Sequence, residues 1–259
     1  MMSPRVLYLA HGRAGYQCLN LMINTLNIQP ENILGFSYQM KEDLPLVQRM
    51  AVLGIRYSLE RIRNSESLDL IENFSPNLIV SIHFREIIPK SILDSAYFGG
   101  FNLHPSLLPK YRGCFSGPWA IINGEKETGI SYHFLTSGID EGKLILQKKI
   151  SISPEETGYS VFNKLVDLGI NHFCEVFDLI TTPGFSGKKQ VGKPSYFPRR
   201  VPNEGLIDPN WDPEKIDAFI RALYFPPYRG AQVHTSSGIK EVLDYKCYLE
   251  LLTKGDVVR

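Results

Sequence analysis

No stretch of this sequence stays apolar for long enough to cross a bilayer. The longest apolar runs, such as Asn77 to Ile82, are far shorter than the roughly 20 residues that a spanning helix needs. The N-terminus also lacks the extended apolar core of a signal peptide, so a cytoplasmic protein with no membrane partner is expected. Charge of one sign is missing as well: 28 Lys and Arg stand against 27 Asp and Glu, a formal net charge of +1. Proteins that track a phosphate backbone carry clustered basic residues and a basic domain, so no nucleic-acid partner is expected. Cysteine is sparse. Cys18, Cys114, Cys174 and Cys247 show neither the paired spacing of a zinc site nor a disulfide framework, which points to free thiols and to no metal. The turn HGRAG at 11–15 lacks the G-x-G-x-x-G fingerprint of a dinucleotide site. Internal repeats, low-complexity tracts and coiled-coil heptads are absent too.

What is present is ordinary globular material. At 43% apolar and 11% aromatic across 259 residues, it suffices for one good core and a small appended lobe. Arg5 to Ala10 reads as a short buried strand, followed by a glycine-bearing turn into an amphipathic helix, which is a βα start. Ile33 to Tyr38 reads as a second strand, Leu44 to Leu53 as a helix and Gly54 to Tyr57 as a third strand. A helix ends at Phe74 before Pro76, Asn77 to Ile82 is the clearest central strand, and Gly100 to Leu103 is the next. From Thr157 through Phe177, apolar residues recur at three- and four-residue spacing, the pattern of a helix packed on a sheet. The predicted fold class is α/β: a Rossmann-like, doubly wound, mostly parallel sheet with a small C-terminal α+β lobe. After Pro183 the composition turns rich in Gly and Pro, so the predicted division is 1–182 for the first domain and 183–259 for the lobe. The lobe is expected to hold a helix over Pro213 to Leu223 and two or three strands, with turns at Ser236-Ser237-Gly238 and Lys254-Gly255.

The run NLHPSLLPKYRG, Asn102 to Gly113, puts an amide, an imidazole and a bend of prolines on one short segment at a strand end. Asn102 and His104 are two apart, so on an extended segment their side chains project to the same side. A donor amide and a base then face one substrate. Asp140, in SGIDEGK after the alternating stretch Thr128 to Leu135, can supply the carboxylate that orients and charges a histidine. Taken singly, each has a plainer reading, as a turn-capping Asn, a surface His or a turn-forming Asp.

Together with GPWAIINGEKETGISYHFL and SGIDEGKLILQKKISI, this run resembles the folate-dependent formyltransferases. That family includes methionyl-tRNA formyltransferase, glycinamide ribonucleotide formyltransferase and the sugar N-formyltransferases. The resemblance extends from the first strand to about Gly230 and implies a triad of Asn102, His104 and Asp140, with formyltetrahydrofolate as co-substrate and tetrahydrofolate released. Asn102 would donate to the formyl oxygen. His104 would accept or relay a proton, or as a cation stabilise the oxyanion, with Asp140 tuning its charge. SIHFREIIP resembles the family's folate-binding loop and assigns His83, Phe84, Arg85, Glu86, Ile87 and Ile88 to the pterin site, although Arg85 can equally pair on the surface. Gly138, Ile139 and Gly142 would close its other side.

The region after Pro183 is closer in pattern to the nucleotide-sugar enzymes than to the purine enzyme. The acceptor is expected to meet Ser106, Tyr111, Arg112 and Gly113 on the catalytic loop, and Arg199, Arg200 and Tyr224 in the lobe. The short C-terminal ribbon departs from methionyl-tRNA formyltransferase, whose chain continues through a substantial barrel. The expected partner is therefore a nucleotide-linked amino sugar destined for O-antigen or related lipopolysaccharide. Alternatives are methionyl-tRNA formyltransferase, a formyltetrahydrofolate hydrolase and a non-catalytic ligand-binding relative. An exposed ribbon can serve as a homodimer contact or, alternatively, as an intramolecular edge strand.

Overall fold

The computed structural model describes residues 4–258 and contains a seven-stranded sheet. In chain order the elements are β1 (Val6–Ala10), α1 (Gly12–Asn24), β2 (Ile33–Phe36), α2 (Leu44–Val52), β3 (Arg56–Ser58), α3 (Ser65–Phe74), β4 (Leu78–Ile82), α4 (Lys90–Ser95) and β5 (Gly100–His104). They continue with β6 (Arg112–Gly113), α5 (Ser116–Ile122), β7 (Glu127–Phe134), β8 (Leu144–Ser151), α6 (Gly158–Thr181), β9 (Tyr196–Phe197) and α7 (Pro213–Leu223). The last are β10 (Ala231–Thr235), β11 (Gly238–Val242) and α8 (Tyr245–Thr253). The sheet order is β3-β2-β1-β4-β5-β7-β8. The first five strands are parallel and β7 runs antiparallel to β5. This is the expected Rossmann-like, mostly parallel sheet.

The reason for the strands is their burial on both faces. β1 and β4 are buried at every residue, and a strand covered on both sides can be continuously apolar. Leu7, Leu9, Leu34, Phe36 and Ile79 pack with Ile71 and Phe74 of α3 and Ile92 of α4. On β1 the alternate residue Tyr8 donates its hydroxyl to the Gly15 carbonyl of α1 at 2.5 Å, fastening that helix to the other face. α6 approaches β5 through Gly169: a Cβ there would stand 2.6 Å from Leu103 Cδ2, and Tyr132 donates to the Gly169 carbonyl at 2.8 Å.

Two compact units share the chain. One runs through His104 and adds Ile130–Lys148 and Val166–Gly192; the other takes Pro105–Gly129, Lys149–Leu165 and the chain from Lys193. The units therefore interleave rather than dividing at 182/183. The reason lies in the segment after Pro183: Lys188 and Leu144 exchange backbone hydrogen bonds at 2.7 Å, which ties 185–190 to the sheet. The second unit has its own core of Ile216, Phe219, Ile220 and Leu223 from α7 against Val233, Val242 and Tyr248. Its C-terminal end holds two of the expected two or three strands and, in addition, a helix that the sequence reading did not include. β10 and β11 form the hairpin about Ser236 and Ser237, but the next element is helix α8, capped by Asp244, whose carboxylate accepts from the Cys247 N–H at 2.7 Å. After α8, Val257 makes an isolated bridge to Thr235.

Within this second unit, β6 pairs with β9. Gly113 has φ +88, and a Cβ there would stand 2.2 Å from the Phe197 carbonyl oxygen, so only glycine permits the pairing. Tyr111 and Trp119 stack on Phe197, at centroid distances of 5.5 and 4.6 Å. A Gly113→Ala variant is expected to lose about 1–3 kcal/mol of stability and to gain protease cleavage within 193–200. Unchanged melting and an unchanged digest would contradict this account of the β6–β9 contact.

Candidate functional site

The chain moves outward from β1 to β2 and β3, then returns to the opposite side of β1 with β4. That reversal is a topological switch point, and in open α/β sheets ligands bind outside the carboxyl ends of the strands there. His11 follows β1, His83 follows β4 and His104 closes β5, so three adjacent strands deliver three imidazoles to one end of the sheet.

Asn102 and His104 both come from β5, and the structure brings Asp140 to them. His104 Nδ1 lies 3.4 Å from Asp140 Oδ2. A further histidine, absent from the expected site, completes the group: His133 Nε2 lies 3.3 Å from Asp140 Oδ1 and 3.3 Å from Asn102 Nδ2. The side chains of His104, His133 and Asp140 are 5%, 3% and 12% exposed, so the carboxylate is nearly cut off from water and depends on these partners.

Hydrogen-bond chemistry orders the group. A carbonyl oxygen only accepts, so His133 Nδ1–H donates to the Phe134 carbonyl at 2.9 Å. In the neutral ring Nε2 is then an acceptor, and it takes a hydrogen from Asn102 Nδ2. The amide is fixed in that sense from the other side, because Ser81 Oγ–H donates to Asn102 Oδ1 at 2.8 Å. When His133 carries a second proton, Nε2–H faces Asp140 instead. Asp140 thus lies between two imidazoles, either of which can hold a proton next to its carboxylate.

The register explains the convergence. Asn102 is directly opposite His133 across the antiparallel β5–β7 pair and beside Ser81 across the parallel β4–β5 pair. Asp140 itself has φ +52, and Gly142 lets the loop close, since a Cβ there would stand 1.8 Å from the Phe134 carbonyl oxygen. A sequence signal for His133 existed: Ser131 and His133 are polar positions inside a strand whose neighbours are apolar. Its partner across the sheet could not be read from one strand.

The loop after β4 is shaped by aromatic stacking. Phe84 stacks on Tyr38 at 5.4 Å, and the Arg85 N–H donates to the Tyr38 hydroxyl at 2.7 Å. Tyr38 also meets the edge of His11, whose Nδ1 lies 3.0 Å from both oxygens of the fully buried Asp43. Ile88 is buried, whereas Ile87 and Ile139 are 55% and 41% exposed, and Glu86 is half-buried. Burial, and then the charges of His11 and His104, push the His83 imidazole down to about 4.

The residues expected to meet an acceptor fall in the second unit and divide into two sets. Ser106 and Tyr111 are buried: Ser106 Oγ donates to the Lys110 carbonyl at 2.8 Å, and the Tyr111 hydroxyl donates to Glu125 at 2.9 Å. Burial lifts that phenol to about 12. Arg112 and Gly113 form β6, and Arg199 and Arg200 lie exposed just beyond β9. Tyr224, 39% exposed, lines a separate cleft of about 400 Å³ with Glu155, Asp217, Arg221, Asp244 and Tyr245. Neither Arg199 nor Arg200 lines that cleft. Among the described residues no helix is long and apolar enough to cross a membrane, and no cluster of three or more His, Cys, Asp or Glu could hold a metal ion.

The chain belongs to the formyl transferase family, whose pattern its residues 28–177 match. It is 34% identical over 251 residues to GDP-perosamine N-formyltransferase of Brucella melitensis, a match that spans 96% of each chain. Methionyl-tRNA formyltransferase of Geobacter sulfurreducens is 33% identical over 192 residues, covering 74% of this chain and 57% of that protein. Among solved structures, the N-formyltransferase of Helicobacter canadensis, in complex with folinic acid and dTDP-3-aminofucose, shares the fold with a TM-score of 0.72 at 19% identity, over 93% of this chain and 87% of that one.

The depressed His83 gives a pH test. The unperturbed imidazole titrates near 6.5 and the folded one near 4, so between these values the unfolded state binds more protons and stability falls as pH drops. A His83→Gln variant should lose less of its melting temperature than the parent over that window. Parallel curves for the two proteins would show that His83 is not the group responsible.

Proposed function

We propose that this protein transfers the formyl group of formyltetrahydrofolate to the amine of a nucleotide-linked amino sugar, in the cytoplasm, on the way to a surface polysaccharide such as O-antigen. The observation that carries this reading is the likeness to GDP-perosamine N-formyltransferase across 96% of both chains. Balanced charge, +1 overall, agrees with a small anionic acceptor rather than an RNA.

The residues after β4 fit a flat heteroaromatic donor. The Phe84–Tyr38 stack holds the loop, and exposed Ile87 and Ile139 offer apolar surface. On this reading His83, Phe84, Arg85, Glu86, Ile87, Ile88, Gly138, Ile139 and Gly142 hold the pterin. Formyltetrahydrofolate supplies the activated formyl carbon, and the protein supplies a donor, a base and a charge. The Asn102 NH2 group has two hydrogens. One is directed at His133, and the second serves the carbonyl oxygen as negative charge builds there. His133, whose Nε2 accepts the first of these hydrogens, keeps the Asn102 amide aimed. As the amine nitrogen bonds to the formyl carbon, His104 takes the proton that the amine loses and Asp140 stabilises the resulting imidazolium from 3.4 Å. The bond from that carbon to the folate nitrogen then breaks, and the proton passes to the departing tetrahydrofolate. The acceptor diphosphate is assigned to Arg112, Arg199 and Arg200, which the β6–β9 pairing gathers on one segment pair, since guanidinium pairs well with phosphate oxygens.

The test is incubation with formyltetrahydrofolate and a panel of GDP-, dTDP- and UDP-linked amino sugars, reading the mass gain of one formyl group. Formylation of charged initiator tRNA with no sugar modified would overturn the acceptor assignment, and release of formate with no acceptor modified would make the protein a hydrolase. His104→Ala and Asn102→Ala should each lower turnover by about a hundredfold or more without loss of folding, and near-normal rates in both would refute the triad. Removing Arg199 and Arg200 together should raise KM for the sugar and leave that for the donor unchanged, as when ground-state binding alone is lost. A rise in the donor KM would move the diphosphate site elsewhere.

A further inference from the structure

The Asp140 carboxylate is aimed from a left-handed backbone conformation, and we propose that Gln190 is the positioning residue that secures it. The kinetic part of this proposal rests on the formyl-transfer reading above; the structural part does not.

Asp140 has φ +52. A non-glycine residue keeps a left-handed backbone only where its surroundings over-determine it. The loop between β7 and β8 is closed at its base, where the Phe134 N–H donates to the Lys143 carbonyl at 2.9 Å. Its tip is held by a side chain about fifty residues away: Gln190 Nε2 donates to the Asp140 carbonyl and to the Gly142 carbonyl, both at 2.8 Å. One amide group with two hydrogens thus bridges the carbonyls on either side of Glu141 and removes the freedom of the peptide planes that carry the catalytic carboxylate.

Gln190 is itself brought in by a fixed segment. Lys188 and Leu144 exchange backbone hydrogen bonds at 2.7 Å in each direction, and Phe185 stacks on Phe134 at 6.2 Å. The strap therefore shares two anchors with the strands that bracket the Asp140 loop, and Gln190 adds the third at the tip. The geometry makes small displacements costly: Asp140 stands 3.4 Å from His104 and 3.3 Å from His133, already at the long end of hydrogen-bond reach, so a shift of about 1 Å breaks both contacts.

Three substitutions and two readouts test this. Gln190→Met keeps the length and removes the donor, Gln190→Glu turns carboxylate oxygens on two carbonyl oxygens, and Gln190→Lys restores N–H donors. Hydrogen exchange of the unliganded protein is followed in 136–143 and, as a control, in β1 and β4. Gln190→Met should speed exchange in 136–143 about tenfold with the control strands unchanged, and should lower kcat about tenfold at saturating donor and acceptor, with both KM values within about twofold of the parent. Gln190→Glu should be worse in both readouts, and Gln190→Lys should recover part of each. Unchanged protection of 136–143 in Gln190→Met, or protection lost equally from β1 and β4, would overturn the proposal. If the parent protein formylates no acceptor, the formyl-transfer reading fails, and the exchange data alone decide the role of Gln190.

Discussion

A single carboxylate, Asp140, held between two buried imidazoles, is the constraint on which the rest of this site depends. An ionised carboxylate only 12% exposed is costly to desolvate unless charge or hydrogen bonds compensate it. His104 does so from one oxygen, and His133, when it carries a second proton, from the other. Each imidazole is in turn tied to backbone geometry, His104 through the end of β5 and His133 through the Phe134 carbonyl. Ser81 then orients Asn102. Removing any one tie leaves another buried polar group without its complement, which is how a polar cluster enforces a single arrangement.

The reversal of β7 against β5 is what makes the cluster possible. In an antiparallel pair, residues directly opposite have their side chains on one face at close range, and here that relation joins Asn102 to His133. β4, parallel on the other side of β5, places Ser81 beside Asn102. A mostly parallel sheet supplies the strand ends, and one strand of opposite sense supplies the second histidine.

The sequence made the central strands legible because β1 and β4 are buried on both faces and read as apolar runs broken only by Ser81. Asn102 and His104 could be paired from it because two residues on one strand share a face whatever that strand's neighbours are. His133 could not, since its role depends on the register between β5 and β7, which neither strand encodes alone. α8 escapes a reading from the sequence because Tyr and Leu suit both states, and the Asp244 cap decides in favour of a helix. The division at 182/183 followed a change in composition, whereas the pairing of Lys188 with Leu144 is a long-range contact that composition does not carry.

The interleaving of the two units bears on how such a protein could diversify. The second unit is assembled from three separate stretches, 105–129, 149–165 and the chain from Lys193, and β7, β8 and α6 each run from one unit into the other without a break. No single crossover between related genes exchanges one unit whole. A recombinant joined once near 182 would combine two parental stretches of the second unit with a foreign third, and Gly113 would meet an unfamiliar backbone at Phe197. Diversification of this scaffold is therefore channelled toward point changes within the segments rather than toward the shuffling of lobes.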